Sequence, residues 1–346
     1  MIANFLIDSR YGGPHVYLNS LKKKIYKQKF IDIYQDKKLK NINLYNLKKF
    51  HKLLYILDII LNIIKIYFLF KNKKKINVFF IFSILNIAPV IANLFLRKKI
   101  YWFILEQSNY LTKLIFKFLL KLMSIIPIFI TKSLAKEVKI KNYKIFFPDI
   151  NYNFWRKNKE NKENKKNKKK IIMTCVGNIN KTKNHLQLIN FLENIRFPYK
   201  LYIVGKTLLN QKNYYDMIKK KISLINKNQN SSIKILQDKK HIEIKKILNF
   251  TDIYILPSKS EGLSLSLVEA MSMECICLVS NPSNHSKLIK NGYNGFTFDL
   301  NLRSFLNKIN KIKFLKKNEY KKISKNALLT SRNLCGNNYN FKDLSN

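Results

Sequence analysis

The sequence is poor in acidic residues and in cysteine. Its 346 residues include 20 Asp and Glu against 66 Lys and Arg, a formal net charge of +46, and only four cysteines. The cysteines form no CxxC motif and no Cys/His cluster with metal-ligand spacing, so a structural zinc site is not expected. Cys175, Cys275 and Cys277 lie in apolar, strand-like segments, which fits a reducing cytoplasm.

The excess of lysine has two interpretations. A field of this sign attracts phosphate groups, so the partner would be a membrane surface with acidic lipids or a nucleic acid. Alternatively, the excess is a compositional bias, because Lys, Asn and Ile are abundant along the whole chain and form no single basic stripe. Motifs of the RNA-recognition type are absent, so no nucleic-acid partner is expected. Charge alone assigns no function.

Long uninterrupted hydrophobic runs are also scarce. The N-terminal apolar run carries Asp8 and follows no basic segment, so it predicts a first strand and not a secretion signal. Residues 53–70 have polar side chains at helical spacing and predict a buried or surface-docked helix, whereas residues 76–96 divide into a strand and a helix. We expect no membrane span, and a peripheral membrane contact stays open.

Hydrophobic residues make up 47% of the chain, which is enough for a substantial core and for two domains. Strand-length apolar runs alternate with longer amphipathic segments, so the pattern predicts an α/β protein of two Rossmann-like domains with parallel sheets facing a central cleft. The predicted strands are residues 3–8, 77–83, 99–105, 125–130, 143–147, 171–176, 199–204, 233–236, 252–256 and 275–280. The predicted helices are residues 14–28, 53–70, 88–97, 109–123, 132–139, 184–195, 211–225, 241–249 and 266–273.

A domain boundary is indicated by residues 156–170, which are almost entirely Lys, Asn and Glu. Such a segment can bury nothing and predicts a solvated linker or loop. We therefore expect a first domain of residues 1–155, a second domain of residues 171–315, and a helical tail of residues 316–346 that can cross back to the first domain.

Residues 256–271, LPSKSEGLSLSLVEAM, predict a strand end, a polar turn and a helix that begins near Leu265. Strand ends of this kind face the ligand in open α/β sheets. Glu261 lies in the turn and Glu269 in the helix, while the backbone of residues 262–265 can direct N–H groups at an anion. The pattern Ser266-x-x-Glu269 is also that of a capping box, whose side chains satisfy helix N-terminal amides. The residues alone leave both interpretations open.

The segment EGLSLSLVEAM resembles the E-x7-E motif of the nucleotide-sugar-dependent glycosyltransferases of family 4, the group 1 type with the GT-B fold. Other segments resemble the family in the same order, strongly over residues 171–300 and weakly over residues 20–140. They are the glycine turn Gly12-Gly13 in GGPHVY, the stretch FPDIN at 147–151, VGNI at 176–179, Lys183-Asn184-His185, residues 201–205 and NGYNGF at 291–296.

The resemblance implies a retaining glycosyltransferase that moves a hexose from a nucleoside-diphosphate sugar to an acceptor hydroxyl. The first domain would bind the acceptor and the second the donor. Lys183 and the amides of residues 262–265 would stabilise the charge on the leaving diphosphate, Glu261 would contact the donor sugar, and Glu269 would hold the ribose. The resemblance thus gives Glu261 and Lys183 as catalytic, and as donor-binding Gly12, Gly13, Gly177, Asn178, Lys183, Gly262, Leu263, Ser264, Leu265 and Glu269.

No D-x-D triplet occurs, so metal independence is expected, with no cofactor besides the donor substrate. Because many such enzymes use a lipid-linked glycan acceptor, the resemblance implies a role in cell-surface glycan synthesis, in lipopolysaccharide, capsule or glycolipid. The basic first domain and its apolar helix 53–70 then indicate a cytoplasmic protein that contacts the anionic inner face of the cytoplasmic membrane.

Several positions depart from the family pattern. Asn178 stands where the family has an arginine, Glu274 and Ile276 stand where a glycine and then a proline are usual, and Lys287 stands where an acidic residue is common. The first domain lacks the histidine that many relatives have after the strand at 99–105. Glu106 stands near that place, either in the same role or as a solvated strand-end carboxylate. These departures keep open a catalytically inactive GT-B binding protein. The positive charge alone keeps open, with less support, a polycationic nucleic-acid-binding protein.

Overall fold

A computed structural model describes residues 1–6, 13–25, 28–34, 49–148, 150–157, 170–207, 211–226, 231–282, 287–334 and 341 of the chain. The chain divides into two compact units. Unit 1 comprises Met1–Asp149 and Asn337–Asn346, and unit 2 comprises Ile150–Gly336. Most of the predicted linker, residues 158–169, lies outside the described residues, as does Gly12.

Unit 1 is built on a sheet of six parallel strands in the order β2-β1-β3-β4-β5-β6. Its elements are β1 (Ile2–Leu6), α1 (Gly13–Lys24), β2 (Phe30–Tyr34), α2 (Lys49–Phe70), β3 (Val78–Phe82), α3 (Ala88–Leu96), β4 (Lys99–Ile104), α4 (Tyr110–Leu122), β5 (Ile125–Phe129), α5 (Lys132–Val138) and β6 (Lys144–Ile145). Strand β3 is apolar throughout and β4 is apolar after Lys99, as expected for parallel strands that are covered on both sides.

The C-terminal segment contributes to the core of unit 1 through Phe341. Its ring is buried and lies 5.9 Å from that of Phe80, 5.6 Å from that of Tyr101 and 5.6 Å from that of Phe146. Aromatic pairs at such distances stabilise a core beyond the area that they bury. Phe341 is therefore part of the aromatic core of unit 1.

Unit 2 also has six parallel strands, in the order β9-β8-β7-β10-β11-β12. Its elements are β7 (Ile171–Val176), α6 (His185–Leu192), β8 (Tyr199–Val204), α7 (Lys212–Ile225), β9 (Ser232–Leu236), α8 (His241–Phe250), β10 (Ile253–Leu256), α9 (Leu265–Ser272), β11 (Ile276–Ser280), β12 (Phe296–Phe298), α10 (Leu302–Lys313) and α11 (Lys317–Asn333). Successive strands are added on one side of β7 as far as β9, and from β10 onward on the other side.

The predicted α/β class with parallel sheets is confirmed, and the predicted strands are present with small changes of bounds. Two strands were not predicted. The first is β2, whose alternating sequence FIDIY carries Asp32, a residue that accepts a hydrogen bond of 2.8 Å from Asn4 of the neighbouring strand. The second is β12, which is only three residues long. Within the described part of the chain, every helix falls short of what a bilayer crossing requires.

Candidate functional site

The carboxyl ends of β7 and β10 lie side by side where the strand order of unit 2 reverses. In open α/β sheets, such a switch point is where ligands bind. The loop after β7 (residues 177–184) and the loop after β10 (residues 257–264) are joined there, because the backbone N–H of Lys259 donates to the carbonyl of Thr182 at 2.8 Å. Sequence segments that are far apart in the chain thus form one edge.

Two glycines shape this edge. A Cβ atom at Gly205 would lie 1.9 Å from the carbonyl oxygen of Gly177, so a glycine at 205 is what allows the ends of β7 and β8 to approach. Gly177 itself has φ +155°, and a Cβ atom there would lie 3.1 Å from Cε and 3.3 Å from Nζ of Lys183. The lysine side chain therefore lies over the glycine, and a Cβ atom at 177 would crowd it.

Lys183 and Glu261 form an ion pair across the two loops. Their side chains are only 15% and 17% exposed, so water screens the pair less than it screens a surface pair. The hydroxyl of Ser258 lies 3.4 Å from the same carboxylate oxygen of Glu261, and the backbone N–H of Lys183 donates to the side chain of Asn180 at 2.9 Å. The structure thus brings the two predicted catalytic residues into contact with each other.

Helix α9 begins at this edge immediately after the predicted anion-binding residues. Its N-cap is Ser264, whose side chain makes no capping hydrogen bond, so the first N–H groups of the helix are not satisfied by their own cap. Gly262, Leu263 and Ser264 are buried, and Leu265 is half-buried. A helix N-terminus of this kind attracts anions, because the partial positive charge of the aligned peptide groups is concentrated there.

The interpretation of Ser266 and Glu269 as a capping box is wrong. Ser266 is inside the helix and not at its N-cap, and its hydroxyl donates to the carbonyl of Val176 at 2.9 Å. The hydroxyl of Tyr254 lies 2.7 Å from that of Ser266. The Ser266 side chain therefore links the first turn of α9 to the end of β7 by a hydrogen bond.

Glu269 is a partly buried carboxyl group one turn further along α9. Burial raises its pKa to about 8, and no hydrogen bond from a described residue opposes that shift. A carboxyl group without such support is destabilised in its charged form. Glu269 is therefore a group whose charge a polar ligand could restore.

His185 was not among the predicted site residues, although it is the first residue of α6 and follows Lys183 closely. It is fully buried, and neither ring nitrogen makes a hydrogen bond of normal geometry with a described residue, although the Asn180 backbone is near enough to favour the charged ring. Burial and the Lys183 ammonium lower its pKa to about 3, so the ring is neutral. The sequence signal was its place in the Lys183-Asn184-His185 segment, but a histidine in an apolar helix is more often part of a core.

The remaining predicted residues are placed as follows. Asn178, which replaces the family arginine, is exposed directly after Gly177. Gly13 begins α1 in unit 1, the first helix after β1. Gly12 is outside the described residues.

Three further departures from the family pattern lie among the described residues of unit 2. Glu274 has φ +55°, the left-handed conformation in which glycine is favoured. The N–H of Cys275 donates to the carbonyl of Ala270, and that of Glu274 to the carbonyl of Met271, which is the Schellman pattern that ends α9. The turn is therefore preserved with glutamate in place of glycine. Ile276 begins β11 as an ordinary buried strand residue, and Lys287 is exposed.

In unit 1, Glu106 is not a solvated strand-end carboxylate. One of its oxygens accepts from the Ser83 hydroxyl and, at 2.9 Å, from the N–H of Ile84. Burial raises its pKa, and these hydrogen bonds act in the opposite direction. Ser83 itself has φ +80°, so the carboxyl group supports a strained turn after β3. A role for Glu106 toward an acceptor stays a prediction.

Metal ligands were not expected from the sequence. Where the structure describes the chain, no three His, Cys, Asp or Glu side chains converge in the way that metal ligands do. Independence from metal nevertheless stays a prediction.

Solved structures share this architecture over nearly the full chain. The Anabaena protein HepE, crystallised with UDP and glucose, is similar with a TM-score of 0.73 and 12% identity over 96% of this chain and 95% of that one. Sucrose-phosphate synthase from Thermosynechococcus elongatus is similar with a TM-score of 0.74 and 12% identity over 99% and 96%. At such identities the likeness establishes the fold alone, and it defines the protein as one of the GT-B class.

The family model described as "Glycosyl transferases group 1" matches residues 156–329, just over half of the chain. The chain therefore belongs to the group 1 glycosyl transferases. A curated Escherichia coli relative, UDP-Gal:alpha-D-GlcNAc-diphosphoundecaprenol alpha-1,3-galactosyltransferase, is 41% identical over 66 residues. That match spans 19% of this chain and 17% of the relative's length.

Proposed function

We propose that the protein transfers a hexose from a nucleoside-diphosphate sugar, with UDP as the nucleotide, to the hydroxyl group of an acceptor. Membership of the group 1 family supports the reaction class. The choice of UDP is supported by HepE, whose structure contains UDP, and by the E. coli relative, whose name specifies UDP-galactose. The observation that carries the proposal is the Lys183–Glu261 pair at the switch point of unit 2, beside the N-terminus of α9.

The reaction breaks the bond between the anomeric carbon and the diphosphate oxygen, and it forms a bond from that carbon to the acceptor oxygen, whose proton passes to the departing diphosphate. Negative charge grows on the diphosphate as the first bond breaks. Lys183 and the N–H groups at the start of α9 would stabilise this charge, which is electrostatic catalysis by groups already in place. Glu261 balances the ammonium of Lys183 in the free protein, and we assign it a contact with the donor sugar. Retention of anomeric configuration and independence from metal are parts of the same proposal.

Glu269 would hold the ribose. Two hydroxyl groups of the pentose can donate to one carboxylate, and such hydrogen bonds would restore the charge that burial disfavours in the free protein.

The acceptor in this proposal is a lipid-linked glycan used for cell-surface polysaccharide or glycolipid synthesis. Its support is the name of the E. coli relative, which specifies a diphosphoundecaprenol acceptor.

The test begins with ligand binding. UDP at a hundred times its Kd should stabilise the protein by about 2.7 kcal/mol, which thermal unfolding can measure against GDP and ADP. Release of UDP from UDP-glucose and UDP-galactose in the presence of a diphospholipid acceptor then reports transfer.

Lys183→Met should lower the turnover of the donor about 100-fold or more, since it removes the cation that faces the leaving group. The matched control is Lys259→Met, an exposed lysine of the adjoining loop, which should leave turnover almost unchanged. Failure of UDP, GDP and ADP to bind would refute the proposal. Binding without transfer would instead support a protein of this fold that has lost its activity.

A further inference from the structure

Unit 1 exposes an unusual number of large hydrophobic side chains. Among the described residues, fifteen lie between Leu57 and Leu122, against eight in the whole of unit 2. Single exposed apolar residues are ordinary on a protein surface, but a concentration of them indicates a binding surface. Helix α4 shows the pattern most clearly, because its exposed apolar residues recur at helical spacing: Leu111, Leu114, Phe118 and Leu122.

Helices α2 and α3 present a second exposed apolar group. The side chains of Phe68 and Phe95 are 66% and 70% exposed, although phenylalanine is ordinarily a buried residue. The ring of Tyr67 on α2 lies 6.0 Å from that of Phe95 on α3 and 5.4 Å from that of Phe68. The exposed residues of the two helices therefore adjoin one another.

The three helices lie on the same side of the sheet of unit 1. On α2, Phe70 packs against Phe79 of β3, and on α4, Phe116 packs against Trp102 of β4. Trp102 pairs in register with Ile81, which is two residues beyond Phe79, so Phe79 and Trp102 project from the same face. Helix α3 lies beside α2 through the Tyr67 contact. We call the outward sides of α2, α3 and α4 the three-helix face.

The charge of this region is strongly positive. Residues 49–123 contain thirteen Lys and Arg against two acidic residues. One of the acidic residues, Glu106, is turned toward Ser83 and Ile84. Lys117 and Lys121 follow the apolar residues along α4, and the Nζ atom of Lys71 lies 5.7 Å from the ring of Phe68. Apolar side chains bordered by lysines are complementary to a bilayer surface with anionic lipids.

We propose that the three-helix face binds the surface of a bilayer that contains anionic lipids, with its phenylalanines and leucines in the interfacial region and its lysines at the headgroups. The sequence indicated only residues 53–70 for such a contact, and the structure adds α3 and α4. The biological use of this surface rests on the proposed function, since it would bring the enzyme to a lipid-linked acceptor. The contact itself is measurable without donor or acceptor.

The experiment is flotation of the full chain with vesicles of phosphatidylcholine, with or without phosphatidylglycerol. The protein should bind the anionic vesicles and bind the neutral ones weakly. The triple variant Phe68→Asn, Phe95→Asn, Phe118→Asn should bind anionic vesicles at least about tenfold more weakly than the parent protein. It removes three rings that can insert into the bilayer, from positions that are already exposed. The matched control is Phe314→Asn in unit 2, whose ring is 74% exposed and which should bind like the parent protein.

A charge variant tests the second component independently. Lys117→Glu with Lys121→Glu should weaken binding to anionic vesicles about tenfold or more and leave weak binding to neutral vesicles unchanged. Lys311→Glu with Lys322→Glu, at exposed positions of α10 and α11, makes the same change in net charge and is the control. UDP affinity in solution should be the same for every variant, so failure of this proposal is distinguishable from failure of the proposed function.

The proposal is overturned if the parent protein ignores anionic vesicles or if the triple variant binds them equally well. Light scattering tests whether a second copy of the chain, and not lipid, covers the three-helix face. If the parent protein is a dimer that the triple variant converts to a monomer, while neither binds vesicles, the three-helix face is covered by a second copy of the chain and not by lipid.

Discussion

Unit 1 and unit 2 each contain a sheet of six parallel strands, but the two units differ in the side chains that surround the sheet. In unit 2 the strand order reverses between β7 and β10, and the loops there gather a lysine, a glutamate and a helix N-terminus. In unit 1 the reversal is at β1 and β3, and the described neighbourhood of β3 contains a strained serine supported by Glu106. Unit 1 differs most on its outside, where the three-helix face is exposed. One architecture thus supports a polar ligand edge in one unit and an apolar docking surface in the other.

The largest effect is expected from Phe341→Ala. It should destabilise unit 1 by about 3–5 kcal/mol, because a buried ring inside an aromatic cluster is replaced by a cavity. Hydrogen exchange at β3 and β4 should accelerate much more than at β7 and β8. Phe314→Ala, at an exposed phenylalanine of unit 2, is the control and should change neither unit measurably. Equal acceleration in both units would contradict a division in which the C-terminal segment belongs to unit 1.

Gly205→Ala should destabilise unit 2 and leave unit 1 unchanged. The added methyl group would meet the Gly177 carbonyl and must displace the end of β7 or β8, which costs about 3 kcal/mol in unit 2. Gly292→Ala meets nothing within 4 Å and costs only about 1 kcal/mol, for a left-handed residue at φ +79°. Hydrogen exchange at β7 and β8 should separate the two variants. If the two variants are equally destabilised, the chain accommodates the methyl group at 205, and close approach of β7 and β8 does not explain the glycine there.

Glu269 makes the stability of unit 2 depend on pH. Its folded pKa of about 8 exceeds that of an unfolded glutamate, so between about pH 4.5 and 8 the folded state binds the extra proton. Stability from this group is present below that window and declines as pH rises through it, at no more than about 1.4 kcal/mol per pH unit. Glu269→Gln should flatten the decline, which denaturant unfolding at pH 5 and pH 8 can measure.

The same residue should link UDP binding to pH. Because a ribose diol donates to the charged carboxylate, affinity for UDP should rise from pH 6.5 to 8.5 in the parent protein and should rise less in Glu269→Gln. The phosphate groups titrate equally in both proteins, so the difference between them isolates the carboxyl group. Identical pH profiles would remove Glu269 from the ribose site.

The smallest effect is expected from Glu274→Gly. Glycine removes the strain of a left-handed glutamate, which should raise the free energy of unfolding by about 1–2 kcal/mol. The greater freedom of glycine in the unfolded chain offsets about 0.4–1 kcal/mol of that gain. Thermal unfolding should therefore show a gain of about 0.5–1 kcal/mol. A loss of stability would show that interactions of the Glu274 side chain stabilise the fold by more than its left-handed backbone costs.

Much of the fold could be predicted from the sequence, because most strands are continuous apolar runs and most helices have one apolar side. The exceptions, β2 and β12, are a strand with a central aspartate and a strand of three residues. In the site, Lys183 and Glu261 were predictable as residues but not as a pair, since their contact depends on the order of β7 and β10 in the sheet. His185 and the role of Ser266 depend on burial and on a distant carbonyl, which no local pattern encodes.

The hydrogen bonds of Ser266 have a consequence for ligand binding. They hold the first turn of α9 against β7 from within, through the Val176 carbonyl and the Tyr254 hydroxyl. The N–H groups at the start of α9 are therefore oriented by the folded chain itself, and in the proposed site little conformational entropy would be lost there on binding. We expect this corner of the molecule to behave as a rigid template, so that discrimination between sugars comes from the shape of their surroundings and not from a closing movement of the helix.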